Sequence, residues 1–474
     1  MTNILERIVF FASIFFIIYL LIYATFTFLA VAVGAYRLRI KERMQMLKNE
    51  LRHTTIPISI IVPAYNEAAV IIKSVNSLLA LDYQCFEIVV VDDYSNDDTS
   101  QLLIDAFNMK PYDRPINRVL QCQPHTAVHE QTVDGINLTL IRKLNGGKSD
   151  ALNMGINACR YPYFICMDAD SFLQKDSLTK IVQPLLEDDR VVSVGGMILL
   201  SQCVQLEDGI AVNYKLPKNI LVSMQAVEYD RTFLGSRILF DTFNGNLIIS
   251  GAFGLFNKSL VMAAGGYDVS NLGEDMELAL KTHVYCRNNS IEYRMRYAPS
   301  AVCLTQAPSR LKDLIGQRRR WHIGMFQSMR EHWQIFLNLR FGVVSFLSFM
   351  YYLLYELLSP VVEIFGVVAI VLAFYLHLLN VRFMVVFLVL YVLYGVALSL
   401  CIYMQHIYQQ KFKLSFLDLI KAFFICMLEF TFFRYLLVFT RLQAFIGYSK
   451  HKRKWGTIKR DYEKNFEYKP RETV

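Results

Sequence analysis

The sequence predicts an α/β domain built on a mostly parallel sheet and set between helical segments of membrane-spanning length. Three observations predict it. Short runs, Ile58 to Val62, Phe86 to Val91, Asn137 to Arg142 and Tyr163 to Met167, alternate with helical patterns, as in βαβ units. Two of these runs end in carboxylates, Asp92-Asp93 and Asp168-Ala169-Asp170, at the sheet edge where open α/β folds bind ligands. Long charge-poor stretches flank the domain in a chain that is 54% hydrophobic and 14% aromatic, more apolar than soluble proteins average.

Ile8 to Ala35 runs about 28 residues without a charge, more than the ~20 a bilayer crossing needs. It reads as a retained anchor within residues 1–40 rather than a cleaved signal. Arg37, Arg39, Lys41, Arg43, Lys48 and Arg52 follow, whereas Met1 to Arg7 carries one Glu and one Arg. The positive-inside rule then places the next domain, residues 53–335, in the cytoplasm. Its helices are expected near Glu67–Leu79, Asp98–Phe107 and Ser149–Cys159, with Asn66 and Asn96 to Thr99 as amino-terminal caps. Met109 to Gly135, with its prolines, reads as a surface insertion.

Residues 341–445 hold four further apolar segments, Phe341–Leu358, Val361–Leu379, Phe383–Met404 and Phe416–Phe439, the third being the clearest span. Glu356, Glu363, Glu429 and Arg434 fall inside this region, where charge is costly unless it faces a bundle interior or a wet path. Interfacial helices with snorkelling charges are the alternative. Residues 446–474 form a basic tail, expected in the cytoplasm. The scattered cysteines include no Cys-x-x-Cys pair and give neither a zinc site nor a disulfide framework. The net charge of +8 is accounted for by juxtamembrane positives rather than nucleic-acid binding.

The polar clusters carry the chemistry. Pro63-Ala64-Tyr65-Asn66-Glu67 follows the first strand, where a loop can touch a nucleotide. Asp92-Asp93 follows the second and can accept hydrogen bonds from a base or ribose, or serve only to cap the next helix. Asn145-Gly146-Gly147-Lys148 opens a helix, so its backbone amides favour an anion and Lys148 adds a point charge for phosphate. It lacks the glycine spacing of a P-loop. Asp168 and Asp170 can bracket a hard cation such as Mg²⁺ or Mn²⁺ together with phosphate oxygens. Glu274-Asp275 precedes an apolar stripe at helical spacing, which puts it near a helix amino terminus, where a carboxylate stays ionised. Gln317, Arg320 and Trp321 share one helical face; Arg318 and Arg319 read as a basic face toward the membrane surface.

The order of these motifs resembles processive, membrane-embedded family 2 glycosyltransferases, the group of poly-N-acetylglucosamine, hyaluronan, chitin and cellulose synthases. That resemblance implies a GT-A fold, Rossmann-like and mostly parallel, with α-helical transmembrane segments. It implies that Pro63, Tyr65, Glu67, Asp92, Asp93, Lys148, Asp168 and Arg320 bind the UDP-sugar, and that Asp170 with Asp168 holds Mg²⁺ or Mn²⁺. Asp275, beside Glu274, would be the catalytic base; Gly251, Gln317 and Trp321 would meet the acceptor. Trp455-Gly456-Thr457 resembles a gating loop. The family's usual Thr before Glu274 is Gly273 here.

The expectation is therefore an inverting, processive β-glycosyltransferase of the plasma (inner) membrane, multi-pass, with UDP-N-acetylglucosamine the first-choice donor. Its partners would be the donor, the growing polysaccharide and membrane lipid, with room for an accessory subunit. Two rivals are a non-processive transferase acting on a lipid, and a transport or scaffold protein with a vestigial nucleotide domain.

Overall fold

The described residues form twelve strands: β1 (Ile58–Ala64), β2 (Phe86–Asp92), β3 (Lys110–Pro111), β4 (His125–Val133), β5 (Ile136–Lys143), β6 (Tyr163–Cys166), β7 (Phe172–Leu173), β8 (Val191–Leu200), β9 (Val204–Glu207), β10 (Ile210–Tyr214), β11 (Gly254–Asn257) and β12 (Arg294–Thr305). The structure is a computed structural model that describes residues 2–47, 55–446 and 448. Ten strands make one sheet in the order β3-β4-β5-β2-β1-β6-β11-β8-β12-β7; β9 and β10 form a separate hairpin. β5, β2, β1 and β6 run parallel, and β12 runs parallel to β8. β11 is antiparallel to both β6 and β8, so the sheet is mixed, though mostly parallel.

Parallel pairing sets the site. Ala64 lies opposite Asp92 and Asp92 opposite Arg142, so the loops leaving β1, β2 and β5 emerge side by side. The strands are buried on both faces, as the apolar runs require: every residue of β2 and of β8 is buried.

Two local expectations are corrected. The segment expected as a surface insertion contains β3 and β4, which extend the sheet antiparallel to β5. Only Val128 of β4 is buried, so the strand is held by its backbone ladder and shows no apolar alternation to read. Asn66 is not a helix cap. It adopts a left-handed φ of 57°, and the next helix starts at Ile71 without a side-chain cap. Asn66 instead ties two loops together: its amide donates to Ser95 Oγ at 2.9 Å, and the Glu67 amide donates to Thr99 Oγ1 at 2.9 Å; the Asn96–Thr99 stretch does open a helix, Thr99–Phe107, after Asp98.

Three helices are long and apolar enough to cross a membrane: Leu5–Ile40, Val381–Gln409 and Phe416–Ile446. A fourth candidate is a broken pair, Val344–Leu357 and Ser359–Tyr375, bent by 56° where Pro360 cannot donate a backbone hydrogen bond. The amino-terminal helix packs against the sheet domain: a Cβ on Gly34 would sit 2.4 Å from the Leu234 carbonyl oxygen. Arg231, on the domain helix Ile220–Arg231, pairs with Glu429 through two contacts of 2.7 Å. Lys421 Nζ donates to the Leu216 carbonyl at 2.7 Å.

Candidate active site

A cavity of about 1030 Å³ collects the sequence-predicted residues. Its walls include Pro63, Tyr65 and Glu67 from the loop after β1, Asp93 after β2, Lys148, and Asp168 with Asp170 after β6. Gly251, Glu274, Asp275, Gln317, Arg320 and Trp321 complete its lining. Asp92 lies outside this lining, and Trp455, Gly456 and Thr457 lie outside the described residues.

Asp92 and Asp93 point into the protein. Asp92 accepts from the Ser95 amide at 2.9 Å and from the Ser100 hydroxyl. Asp93 pairs with buried Lys143 and accepts from the amides of Gly146 at 2.9 Å and Gly147 at 2.7 Å. Lys143 also reaches Asp150 at 2.7 Å. The anion expected on the glycine amides is thus Asp93 itself, and its work is to shape the Asn145–Lys148 turn. Gly147, with φ of 91°, supplies the backbone conformation that turn needs. Lys143 gave no motif to recognise; only strand pairing brings it to Asp93.

Lys148 sits among carboxylates. Its Nζ lies 2.6 Å from Asp168 and 3.0 Å from Glu274, joining the end of β6 to the helix Glu274–Asn288. Burial alone would lower its pKa, but Asp168 and Glu274 outweigh burial and raise it. Gly251 brings its loop close to this cluster: a Cβ there would stand 3.5 Å from Lys148 Nζ and 3.6 Å from Asp275 Cβ. Asp168 remains partly exposed and Asp170 is buried at the cavity wall. The carboxylate oxygens of Asp168 and Asp170 are ligands of the kind a hard divalent cation takes, and Lys148 holds one Asp168 oxygen at 2.6 Å.

Asp275 is the second residue of its helix, and its Oδ1 accepts from the Met276 amide at 2.8 Å. The helix terminus does not hold its pKa low, as expected from sequence. Burial and the neighbouring Glu274 push it up to about 6, against the opposing charge of Lys148.

Gln317, Arg320 and Trp321 lie on the helix Leu311–Glu331 and face the cavity together. Arg318 does not present itself to a membrane surface. It is buried, contacts Glu228 at 2.7 Å, and stacks 4.6 Å over the Trp321 ring, fixing the indole at the cavity wall. Gly273 has a structural reason. A Cβ on it would lie 2.8 Å from the Gly324 backbone, so a threonine has no room between the two helices.

The same cavity extends between the apolar helices. Tyr19, Tyr23, Tyr351, Tyr391 and Tyr394 line it, as do Arg434 with Glu363 at 3.0 Å and Arg441 with Glu356 at 3.3 Å. Three π-helical turns, Thr232–Ser236, Tyr352–Leu357 and Glu429–Phe433, contribute to its wall. Glu356, Glu363, Glu429 and Arg434 therefore line this cavity, the region where one sequence reading expected a path. The tyrosines went unnoticed in the sequence, although Tyr351, Tyr352 and Tyr355 recur at helical spacing.

The family described as Glycosyltransferase like family 2 matches residues 56–324. The chain belongs to that family. It is a glycosyltransferase, and the matched region holds every site residue discussed on the sheet side. A poly-beta-1,6-N-acetyl-D-glucosamine synthase of Staphylococcus epidermidis is 26% identical over 326 residues, covering 66% of this chain and 67% of the relative. One from Staphylococcus aureus strain COL is 28% identical over 268 residues. This match covers 56% of the chain and about half of that relative, 54%. Among solved structures, the mannosyltransferase PcManGT from Pyrobaculum calidifontis, in complex with GDP-Man and Mn²⁺, has a similar fold. Its TM-score is 0.50 at 19% identity, over 82% of this chain and 97% of that one.

Proposed function

We propose that this glycosyltransferase is an inverting, processive β-polysaccharide synthase that uses a UDP-sugar, UDP-N-acetylglucosamine first, and passes its product between the membrane helices. One observation carries the reading. A single cavity is lined both by the Lys148, Asp168, Glu274 and Asp275 cluster and by tyrosines on helices of membrane-spanning length. The names of the staphylococcal relatives support the choice of donor and of a polymeric product.

Tyr65, Glu67 and Lys148 hold the donor, while Asp93 acts by shaping the loop that carries Lys148. Asp170 and Asp168 hold Mg²⁺ or Mn²⁺, which would offset charge on the departing diphosphate. Asp275 takes the proton as the acceptor hydroxyl oxygen bonds to the anomeric carbon, and the bond from that carbon to the diphosphate breaks. Attack opposite the leaving group inverts the centre. Trp321, fixed by Arg318, offers the acceptor a stacking face, with Gly251 and Gln317 beside it.

The path suits an uncharged polymer. Arg231, Arg318, Arg434 and Arg441 are each matched by a glutamate, so these stretches of the wall offer polar contacts with their charge balanced. The domain limits follow the sequence reading: anchor 1–40, catalytic domain 53–335 in the cytoplasm, helices 341–445 in the plasma membrane, and a cytoplasmic tail 446–474 whose Trp455-Gly456-Thr457 gates the donor. Asp275→Asn abolishes sugar transfer while UDP still binds in a calorimetric titration. Wild-type turnover in that variant would remove Asp275 as the base.

A further inference from the structure

Arg237 stands apart from Arg231, Arg318, Arg434 and Arg441 on the cavity wall. It opens the short helix Arg237–Asp241 after the π-helical turn, is 8% exposed, and lines the cavity. Among the described residues no carboxylate lies within 4.0 Å of its guanidinium, whereas Arg231, Arg318, Arg434 and Arg441 each have one. Its Nε has no hydrogen-bond partner; the Phe233 ring centroid lies 5.8 Å from its guanidinium carbon, and the Tyr352 hydroxyl stands beside it. A buried charge without a counter-ion is destabilising unless a ligand completes its hydrogen bonds.

The surroundings say which ligand. Arg237 shares the wall of a narrow crevice with Ile248, Ile249 and Ser250, the residues leading into Gly251. Its charge also acts on Asp275. This is the acceptor side of the cluster; Lys148 and the β1 loop stand on the donor side. Guanidinium donors suit neutral sugar oxygens, which accept without demanding a full ion pair.

We propose that Arg237 binds the acceptor, donating hydrogen bonds to hydroxyl or acyl oxygens of its terminal sugar and setting the attacking hydroxyl against Asp275. This rests on the glycosyl-transfer reading above. The test uses the full-length protein in lipid nanodiscs, UDP-N-acetylglucosamine, and a titrated soluble β-1,6-linked N-acetylglucosamine pentasaccharide. Arg237→Met raises the acceptor KM by about 10- to 100-fold, the loss of hydrogen bonds to a charged group, while the donor KM stays within about twofold. Arg237→Lys recovers part of the loss. An unchanged acceptor KM in Arg237→Met overturns the proposal. Equal rises in both KM values with a lowered Tm and no rescue by lysine also overturn it, because they mark a role in folding. A wild-type protein that transfers no sugar from any UDP-sugar sinks the parent reading, a result distinct from either of these.

Discussion

Gly324→Ala is the perturbation that best separates the positioning of the base from its chemistry. A Cβ at 324 would stand 2.4 Å from the Gly273 nitrogen, 2.6 Å from its Cα and 2.8 Å from the Leu272 carbonyl carbon. All three neighbours are backbone, so no rotamer relieves the clash. Restoring a contact of 3.4 Å requires the helix Leu311–Glu331 to withdraw by about 1 Å from the turn that precedes Asp275. Overpacking of this kind costs about 1–3 kcal/mol. It also draws Gln317, Arg320 and Trp321 away from Asp275, and a 1 Å misplacement of reacting groups costs on the order of 100-fold in rate. UDP release from purified protein in nanodiscs measures the rate, and calorimetric UDP binding reports the donor side. Gly316→Ala on the same helix is the control, since a Cβ there meets nothing within 4 Å. It should leave the rate unchanged and add up to about 1 kcal/mol of helix stability. A Gly324→Ala enzyme with wild-type rate would refute the claim that this close approach sets the acceptor against the base.

Three further outcomes follow. Asp275 works deprotonated and its pKa is raised to about 6, so kcat/KM should be lost as pH falls through about 6, tenfold per unit below it; a profile flat to about pH 5 contradicts the assignment. Arg231→Met leaves buried Glu429 unpaired and should cost about 3–5 kcal/mol by thermal unfolding, while Arg231→Met with Glu429→Leu recovers most of it; equal stability of the two variants contradicts this. Trp455→Ala should cut polymer yield more than donor affinity, and an unchanged yield removes the gating role.

What could be read from sequence was local. The strand ending at Asp92, the strand just before Asp168, the helix opening at Lys148 and the shared face of Gln317, Arg320 and Trp321 all follow from patterns over a few residues. The partners of those groups were not legible, because distant segments supply them. Lys143 reaches Asp93 across 50 residues because Arg142 lies opposite Asp92 in the sheet. Lys148 meets Glu274 only after the helices Lys148–Ala158 and Glu274–Asn288 come together. The departure of Gly273 from the family pattern has its reason in Gly324, which lies against it from a distant helix. Burial, likewise a tertiary property, reversed the sequence expectation for the Asp275 pKa.

The central claim is that transfer feeds a polymer into the membrane cavity. The direct measurement incubates the full-length protein in lipid with a panel of UDP-sugars and Mg²⁺ or Mn²⁺, then sizes the product and digests it with linkage-specific hydrolases. The account predicts UDP release, strongest with UDP-N-acetylglucosamine, matched by a long β-linked polymer. UDP release matched by a single sugar on lipid, or no release with any donor, would contradict it.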